Sequence, residues 1–209
     1  MNYFKEDKYW EKHINDKLED DLWILEYMDY LPKDGKLLDL GCGIGNYTKY
    51  FMACGYDVIS SDISKIALNK VKEFNPNVVH LDMSEHLPFE NNTFDIVFAS
   101  LSIHYFDDKT TTSLISEIKR ILKKEGIFIG SVNSIKAYDF IKDHIKEISH
   151  HYYLSNDKYI RLFDIEDINK YLKDFCVLLV REEETIRFNK KKDYLIFIGK
   201  KWNRIITKQ

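Results

Sequence analysis

At 209 residues, 44% of them hydrophobic and 31% charged, the chain has ordinary globular composition and suits one α/β domain with a small insertion. Lysine and arginine total 31 against 34 acids, a formal net charge of −3, which argues against a nucleic-acid or acidic-membrane partner. No apolar run approaches ~18 residues, and the start MNYFKEDKYWEKH lacks the apolar stretch of a secretory leader, so the expectation is a cytoplasmic protein without a membrane span. Cys42, Cys54 and Cys176 form no C-x-x-C pair and no metal spacing, as suits a reducing compartment.

Residues 5–31 read as helical, with Trp10, Ile14, Leu18, Leu22 and Leu25 recurring at helix spacing and Pro32 and Gly35 closing the segment. Its start is aromatic, through Tyr3, Phe4, Tyr9 and Trp10. Residues 1–35 are therefore expected as an N-terminal helical cap on the domain 36–209, either packed on the sheet or covering a ligand cleft.

Residues 36–51, KLLDLGCGIGNYTKYF, organise the rest. An apolar strand (Leu37, Leu38, Leu40) containing Asp39 breaks into Gly41-Cys42-Gly43-Ile44-Gly45. Tyr47, Tyr50, Phe51 and Cys54 then share one helix face, and Gly55 stands at the stop. Glycines allow positive φ and close approach of a ligand. The following helix aims unpaired N–H groups into the loop. A dinucleotide fingerprint puts its third glycine one place later, where this chain has Asn46.

The D-x-G-x-G-x-G pattern of Asp39, Gly41, Gly43 and Gly45 resembles motif I of the class I S-adenosylmethionine (AdoMet) methyltransferases, small-molecule enzymes with a type 11/25-like domain. That resemblance implies AdoMet as cofactor, S-adenosylhomocysteine as product and a small-molecule acceptor. It also implies that an N-terminal helix can close over the cofactor.

The second strand, Asp57 to Ser61, ends at Asp62, the place about 20 residues past a glycine turn where an acid holds a ribose diol. The competing role for Asp62 is a helix-capping acid. Ile63 follows in the same loop, and Ser64 reads as the N-cap of a helix burying Ala67, Val71 and Phe74. A third strand (Val78, Val79, Leu81) ends at Asp82-Met83, where the resemblance implies contacts to adenine; core packing is the alternative for Met83.

Phe94 to Ala99 reads as an internal parallel strand. The segment L-P-F-x-x-x-x-F-D-I-V…H resembles the middle of the same family, which implies Ser100 beside the methionine part of the cofactor. His104 is the candidate general base, or a structural histidine, with Tyr105 next to it as a pocket candidate.

Residues 110–124 are expected as an amphipathic helix with Leu114, Ile115, Ile118, Ile121 and Leu122 inward, followed by the strand IFIGSV. Here I-K-R-I-L-K-K-E-G-I-F-I resembles a late family motif, with Lys124 and Glu125 where proline and glycine are common. Beyond Asn133 the resemblance thins, and Tyr138, Ile141, Ile145 and Ile148 read as a further helix face. The span 133–163 is the expected acceptor-pocket segment. Tyr9, Trp10, His151, Tyr152, Tyr153 and Arg161 are pocket candidates, against simple edge-loop packing. The adjacent His150 and His151 match no metal spacing, and no metal is expected.

Asp164 and Asp167 form a capping-box pattern before a last helix with Ile165, Ile168 and Leu172 inward. Two terminal strands near 175–187 and 193–200 flank a turn at Lys190-Lys191-Lys192. The element order predicts a doubly wound, Rossmann-like seven-stranded α/β sheet with helices on both faces and a closing antiparallel hairpin. The expected state is a monomer or homodimer. A non-catalytic AdoMet-binding protein and a nicotinamide-dependent oxidoreductase are the alternatives. An RNA methyltransferase is disfavoured, since Ala99-Ser100-Leu101-Ser102 is unlike N-P-P-Y.

Overall fold

The computed structural model describes residues 3–14, 22–138, 142, 145–155, 158–187 and 190–202. The side chains of residues 3–5 and 185–191 fall outside that description, as do Leu18 and Ile141, which the helix spacing of the sequence had included.

The central sheet has seven strands: β1 (Lys36–Leu40), β2 (Asp57–Asp62), β3 (Val78–His80), β4 (Phe94–Ser100), β5 (Leu122–Asn133), β9 (Phe175–Arg187) and β10 (Lys190–Lys201). Their spatial order is β3-β2-β1-β4-β5-β10-β9. Strands β1 to β5 pair in parallel, and β10 runs antiparallel to both β5 and β9. The chain thus reverses direction of winding beside β1 and β4, where open α/β sheets leave a crevice at their carboxyl ends. A second sheet is antiparallel, β6 (Ile145–Ser149), β7 (Tyr152–Ser155) and β8 (Lys158–Arg161) in chain order.

Alternation along the strands explains the two cores. Leu38, Leu40, Val97, Ala99 and Phe128 face α4 (Asp108–Ile121) and α5 (Ile165–Tyr171). Leu37, Ile96, Phe98, Ile129 and Ile196 face the opposite side, with Phe51 of α2 (Asn46–Ala53) and Trp23, Ile24 and Tyr27. Burial on both faces is why the parallel strands read as nearly unbroken apolar runs.

The expected helix over 5–31 is replaced by α1 (Tyr3–His13) and a 3-10 helix, Trp23–Tyr30. The tighter winding, seen in the Leu25 N–H to Leu22 carbonyl bond, rotates the face. Trp23, Ile24 and Tyr27 are buried, and Leu25 is 56% exposed. Ile145 and Ile148 lie in β6 rather than on a helix, because 145–149 closes a hairpin with β7. Helix α4 stops at Ile121, short of Lys124, and Leu122 opens β5. Lys190, Lys191 and Lys192 are not the turn: they begin β10, in register with Arg187, Ile186 and Thr185. Cys54 and Ile165 are exposed, so the inward faces of α2 and α5 are narrower than the spacing implied.

Candidate active site

The loop from β1 to α2 has Gly41, Gly43 and Gly45 at φ 80°, 53° and 83°, a left-handed path that side chains resist. Ser61 O accepts from the N–H groups of both Gly41 and Cys42, at 2.8 and 2.9 Å. These bonds hang the loop on the end of β2. A Cβ at Gly41 would lie 2.4 Å from Cβ of Ser102, whose hydroxyl donates to Leu40 O at 2.7 Å. One at Gly45 would strike Phe74 at 2.7 Å and Val71 at 2.9 Å. Gly41 and Gly45 therefore admit neighbours of the fold itself. At Gly43 the neighbour is different: the Trp10 indole of α1, 2.7 Å from the missing Cβ.

Asp62 sits within this frame. Its two oxygens accept from Gly43 N–H at 2.9 Å and from Ser64 N–H at 2.8 Å. The carboxylate is 8% exposed, and burial raises its pKa against the lowering effect of those two backbone bonds. The two readings of Asp62 merge, since one carboxylate both holds the glycine loop and turns the chain into the Ser64 cap of α3 (Lys65–Val71).

Asp39 lies behind the loop, 2% exposed, accepting from the Thr48 hydroxyl at 2.6 Å; Thr48 in turn shares a hydrogen bond with Ser60. Burial pushes its pKa up to about 7, with the Thr48 bond opposing and the Asp62 charge adding to the rise. Cys42 is half-buried, and its thiol is pushed up by desolvation and by Asp39 and Asp62, as suits an inert loop residue.

On the far side, Asp82 accepts from Ser84 N–H and Oγ at 2.9 and 2.6 Å, an Asx turn after β3. Met83 belongs to the α4-side core, with its Cε 3.1 Å from the missing Cβ of Gly41. Ile63 is half-buried, and its carbonyl meets His80 Nε2 at 2.9 Å. Ser100 Oγ accepts from Trp23 Nε1 at 3.1 Å and pairs with Ser131 Oγ at 3.0 Å. Asp39, the three glycines, Asp62 and Met83 are thus gathered by direct contacts around one loop, and Ser100 closes the neighbouring strand end.

Helix α1 crosses this region. Asp7 accepts from Ser64 Oγ at 2.6 Å, while Glu6 pairs with Lys158 of β8 at 3.1 Å. Lys158 also lies 5.3 Å from the Tyr9 ring. The helix is tied to α3 on one side and to the small sheet on the other, with Trp10 on the loop between. Asp7, Thr48, Ser102 and Lys158 were not singled out in the sequence. Single polar residues on an amphipathic pattern carry no local signal of such long-range bonds.

Of the two readings of His104, general base and structural histidine, its surroundings favour the second. Its ring is 4% exposed, and burial together with the Lys192 charge drives its pKa down to about 3. Its Nδ1 is buried without a hydrogen-bond partner. An imidazole this weakly basic is not a proton acceptor tuned for neutral pH. Tyr105 packs on it at 4.1 Å and gives its carbonyl to Tyr152.

The other pocket candidates pack among themselves. Tyr152 and Tyr153 are buried, Tyr152 stacks on Tyr159 at 5.3 Å, and His151 Nδ1 meets Asp167 at 2.7 Å. Arg161 is 2% exposed and donates to the carbonyls of Phe106 and His150, leaving Nη2 without a partner.

Residues 38–130 match a family described as a methyltransferase domain. Among curated relatives, an uncharacterised methyltransferase of Synechocystis is 37% identical over 94 residues, 44% of each chain. The arginine-hydroxylase NDUFAF5, mitochondrial, of Homo sapiens is 39% identical over 105 residues, 49% of this chain and 30% of that one. The chain thus spans less than half the length of these relatives.

Two solved structures show the same fold. A SAM-dependent methyltransferase of Methanosarcina mazei superposes with TM-score 0.75 at 20% identity, over 84% of this chain and 96% of that one. The 1,6-didemethyltoxoflavin-N1-methyltransferase of Burkholderia thailandensis, solved with 1,6-didemethyltoxoflavin and S-adenosylhomocysteine, gives 0.73 at 17%, over 96% and 86%.

Proposed function

We propose, from the match of residues 38–130 to a methyltransferase domain, that this chain is a class I AdoMet-dependent methyltransferase acting on a small-molecule acceptor. The observation that carries the reading is the 2.9 Å bond from Gly43 N–H to Asp62. It joins the glycine loop and the acid at the end of β2 into one frame at the carboxyl ends of β1 and β2. Such a frame suits an amino acid joined to a ribose.

AdoMet, when bound, supplies an electrophilic sulfonium methyl that needs no further activation. The chain's own contribution is placement and exclusion of water. Gly43 gives the loop an outer face free of Cβ, and Gly41 and Gly45 let Ser102 and Phe74 brace it from behind. Asp62 keeps lone pairs for the ribose hydroxyls, and those donors favour its ionised form against burial. Asp82, Met83 and Ile63 would hold the adenine, and Ser100 the methionine portion. Asp39 holds the loop through Thr48. Trp10, Tyr9 and Tyr105 bound the acceptor side. His104, buried as it is, is given no proton-transfer role here.

A small acceptor is supported by the closure of this end of the fold, where α1 is tied to both α3 and β8. The net charge of −3 adds no basic footprint for nucleic acid. Because one relative is named a hydroxylase, the deciding assay follows the methyl group and not binding alone. The protein is incubated with methyl-labelled AdoMet and a metabolite extract, then fractionated. Label in the small-molecule fraction, lost in Asp62→Ala, is expected. Label only in protein, or none moved at all, contradicts the reading.

A further inference from the structure

We propose that His150, His151 and Asp167 bind a divalent transition-metal ion, zinc in the first instance, independently of the AdoMet reading. The three side chains come from two elements. His150 and His151 form the tip of the β6–β7 hairpin, and Asp167 stands in the first turn of α5. One ligand atom from each lies within 4.8 Å of the other two. His151 Nδ1 is 2.7 Å from Asp167 Oδ2, and His150 Nε2 is 3.9 Å from Asp167 Oδ1. Ligand atoms around a tetrahedral ion with bonds of about 2.0 Å sit roughly 3.3 Å apart, so side-chain rotations that change these spacings by up to about 1.5 Å complete the set.

A fourth ligand atom is at hand. Asp164 accepts from Asp167 N–H through Oδ1, leaving Oδ2 at 4.0 Å from His151 Nδ1. Two imidazoles with one or two carboxylates favour zinc, nickel or cobalt over magnesium or calcium, which prefer all-oxygen surroundings.

The hairpin is shaped for this arrangement. Neighbouring residues of an extended strand point apart, yet the two imidazoles here stack at 3.8 Å and 25°. That follows from His151 taking φ 54°, a left-handed conformation usual for glycine or asparagine at a hairpin. The backbone on each side is braced, with Leu162 N–H donating to His151 O at 2.9 Å and Arg161 Nη1 to His150 O at 3.2 Å. Asp167 is buried and already faces His151 Nδ1 at 2.7 Å, so an ion bound by both takes the place of the proton shared between them. The adjacent histidines matched no metal spacing because their partner lies in another element. An ion here clips the small sheet to the start of α5.

The test uses the untagged full chain. After dialysis against zinc and then buffer, elemental analysis should find one zinc per wild-type chain. His150→Ala should bind at least about tenfold more weakly. The His150 side chain is 74% exposed, so this variant leaves the fold intact, which circular dichroism checks. Zinc should raise the melting temperature of the wild type and not of His150→Ala, and magnesium should move neither. Cobalt substitution should give the intense visible bands of a four-coordinate site in the wild type alone. Zinc retained equally by His150→Ala, or no zinc retained by the wild type, overturns the proposal.

Discussion

Asp39→Asn should stabilise the protein at pH 8 and lose that advantage at pH 4. Asp39 is 2% exposed, and its side-chain hydrogen-bond donor is the Thr48 hydroxyl. Its pKa stands at about 7 against an ordinary 3.8, with burial the largest cause. A carboxyl whose folded pKa is raised holds its proton more tightly when folded. Its favourable contribution is therefore complete below about pH 4, fades as pH rises toward 7, and is absent above that. A rise of about three units corresponds to a ceiling of about 4 kcal/mol at pH 8. Asparagine stays neutral throughout and still accepts from Thr48, but its amide must be accommodated where an oxygen stood. A net gain of about 1–3 kcal/mol at pH 8 is expected. Urea unfolding of both proteins at pH 8 and pH 4 measures it. Asp62 is present in both proteins, so its own titration largely cancels in the difference. A stability difference between the two proteins that does not change with pH would refute the reasoning.

Further outcomes follow from other contacts. Gly45→Ala places a Cβ 2.7 Å from Phe74 at φ 83°, and should cost about 2–4 kcal/mol in a denaturant titration. Glu125 takes φ 64°, a conformation that favours glycine, so Glu125→Gly should gain about 0.5–1 kcal/mol by relieving strain, despite losing its pairing with Lys200. If His104 is structural, His104→Asn should keep labelled-methyl turnover within about tenfold of wild type, and the wild-type pH–rate profile should show no limb near 6.5. Since Trp10 lies on Gly43, S-adenosylhomocysteine should change the intrinsic tryptophan fluorescence of the wild type, and Trp10→Phe should remove most of that change.

What could be read in the sequence was local in origin. The β1 strand, the glycine turn, α2 and the acid at the end of β2 follow from apolar periodicity and glycine placement, and all four stand where expected. The Ser64 and Asp164 caps were legible because a cap is decided within four residues. The errors share a different cause. Trp23–Tyr30 winds as a 3-10 helix because Trp23, Ile24 and Tyr27 fill the β-sheet face beside Phe51 and Phe98, a demand set by distant residues. The 145–149 segment becomes a strand only because Tyr152–Ser155 pairs with it. For His104 the sequence leaves base and structural histidine open, because its burial depends on remote residues, among them Arg161, whose N–H donates to the His104 carbonyl. The placement of Trp10 on Gly43 and the meeting of His150, His151 and Asp167 likewise depend on tertiary structure alone.

The central claim is that the loop around Gly43 and Asp62 receives the sulfur-containing nucleoside. Isothermal titration of the wild-type protein with S-adenosylhomocysteine, alongside Asp62→Ala of verified fold, tests it most directly. One saturable site in the wild type, weakened at least about tenfold by the substitution, is the predicted result. No binding by the folded wild type at millimolar ligand, or equal binding by both proteins, would contradict it.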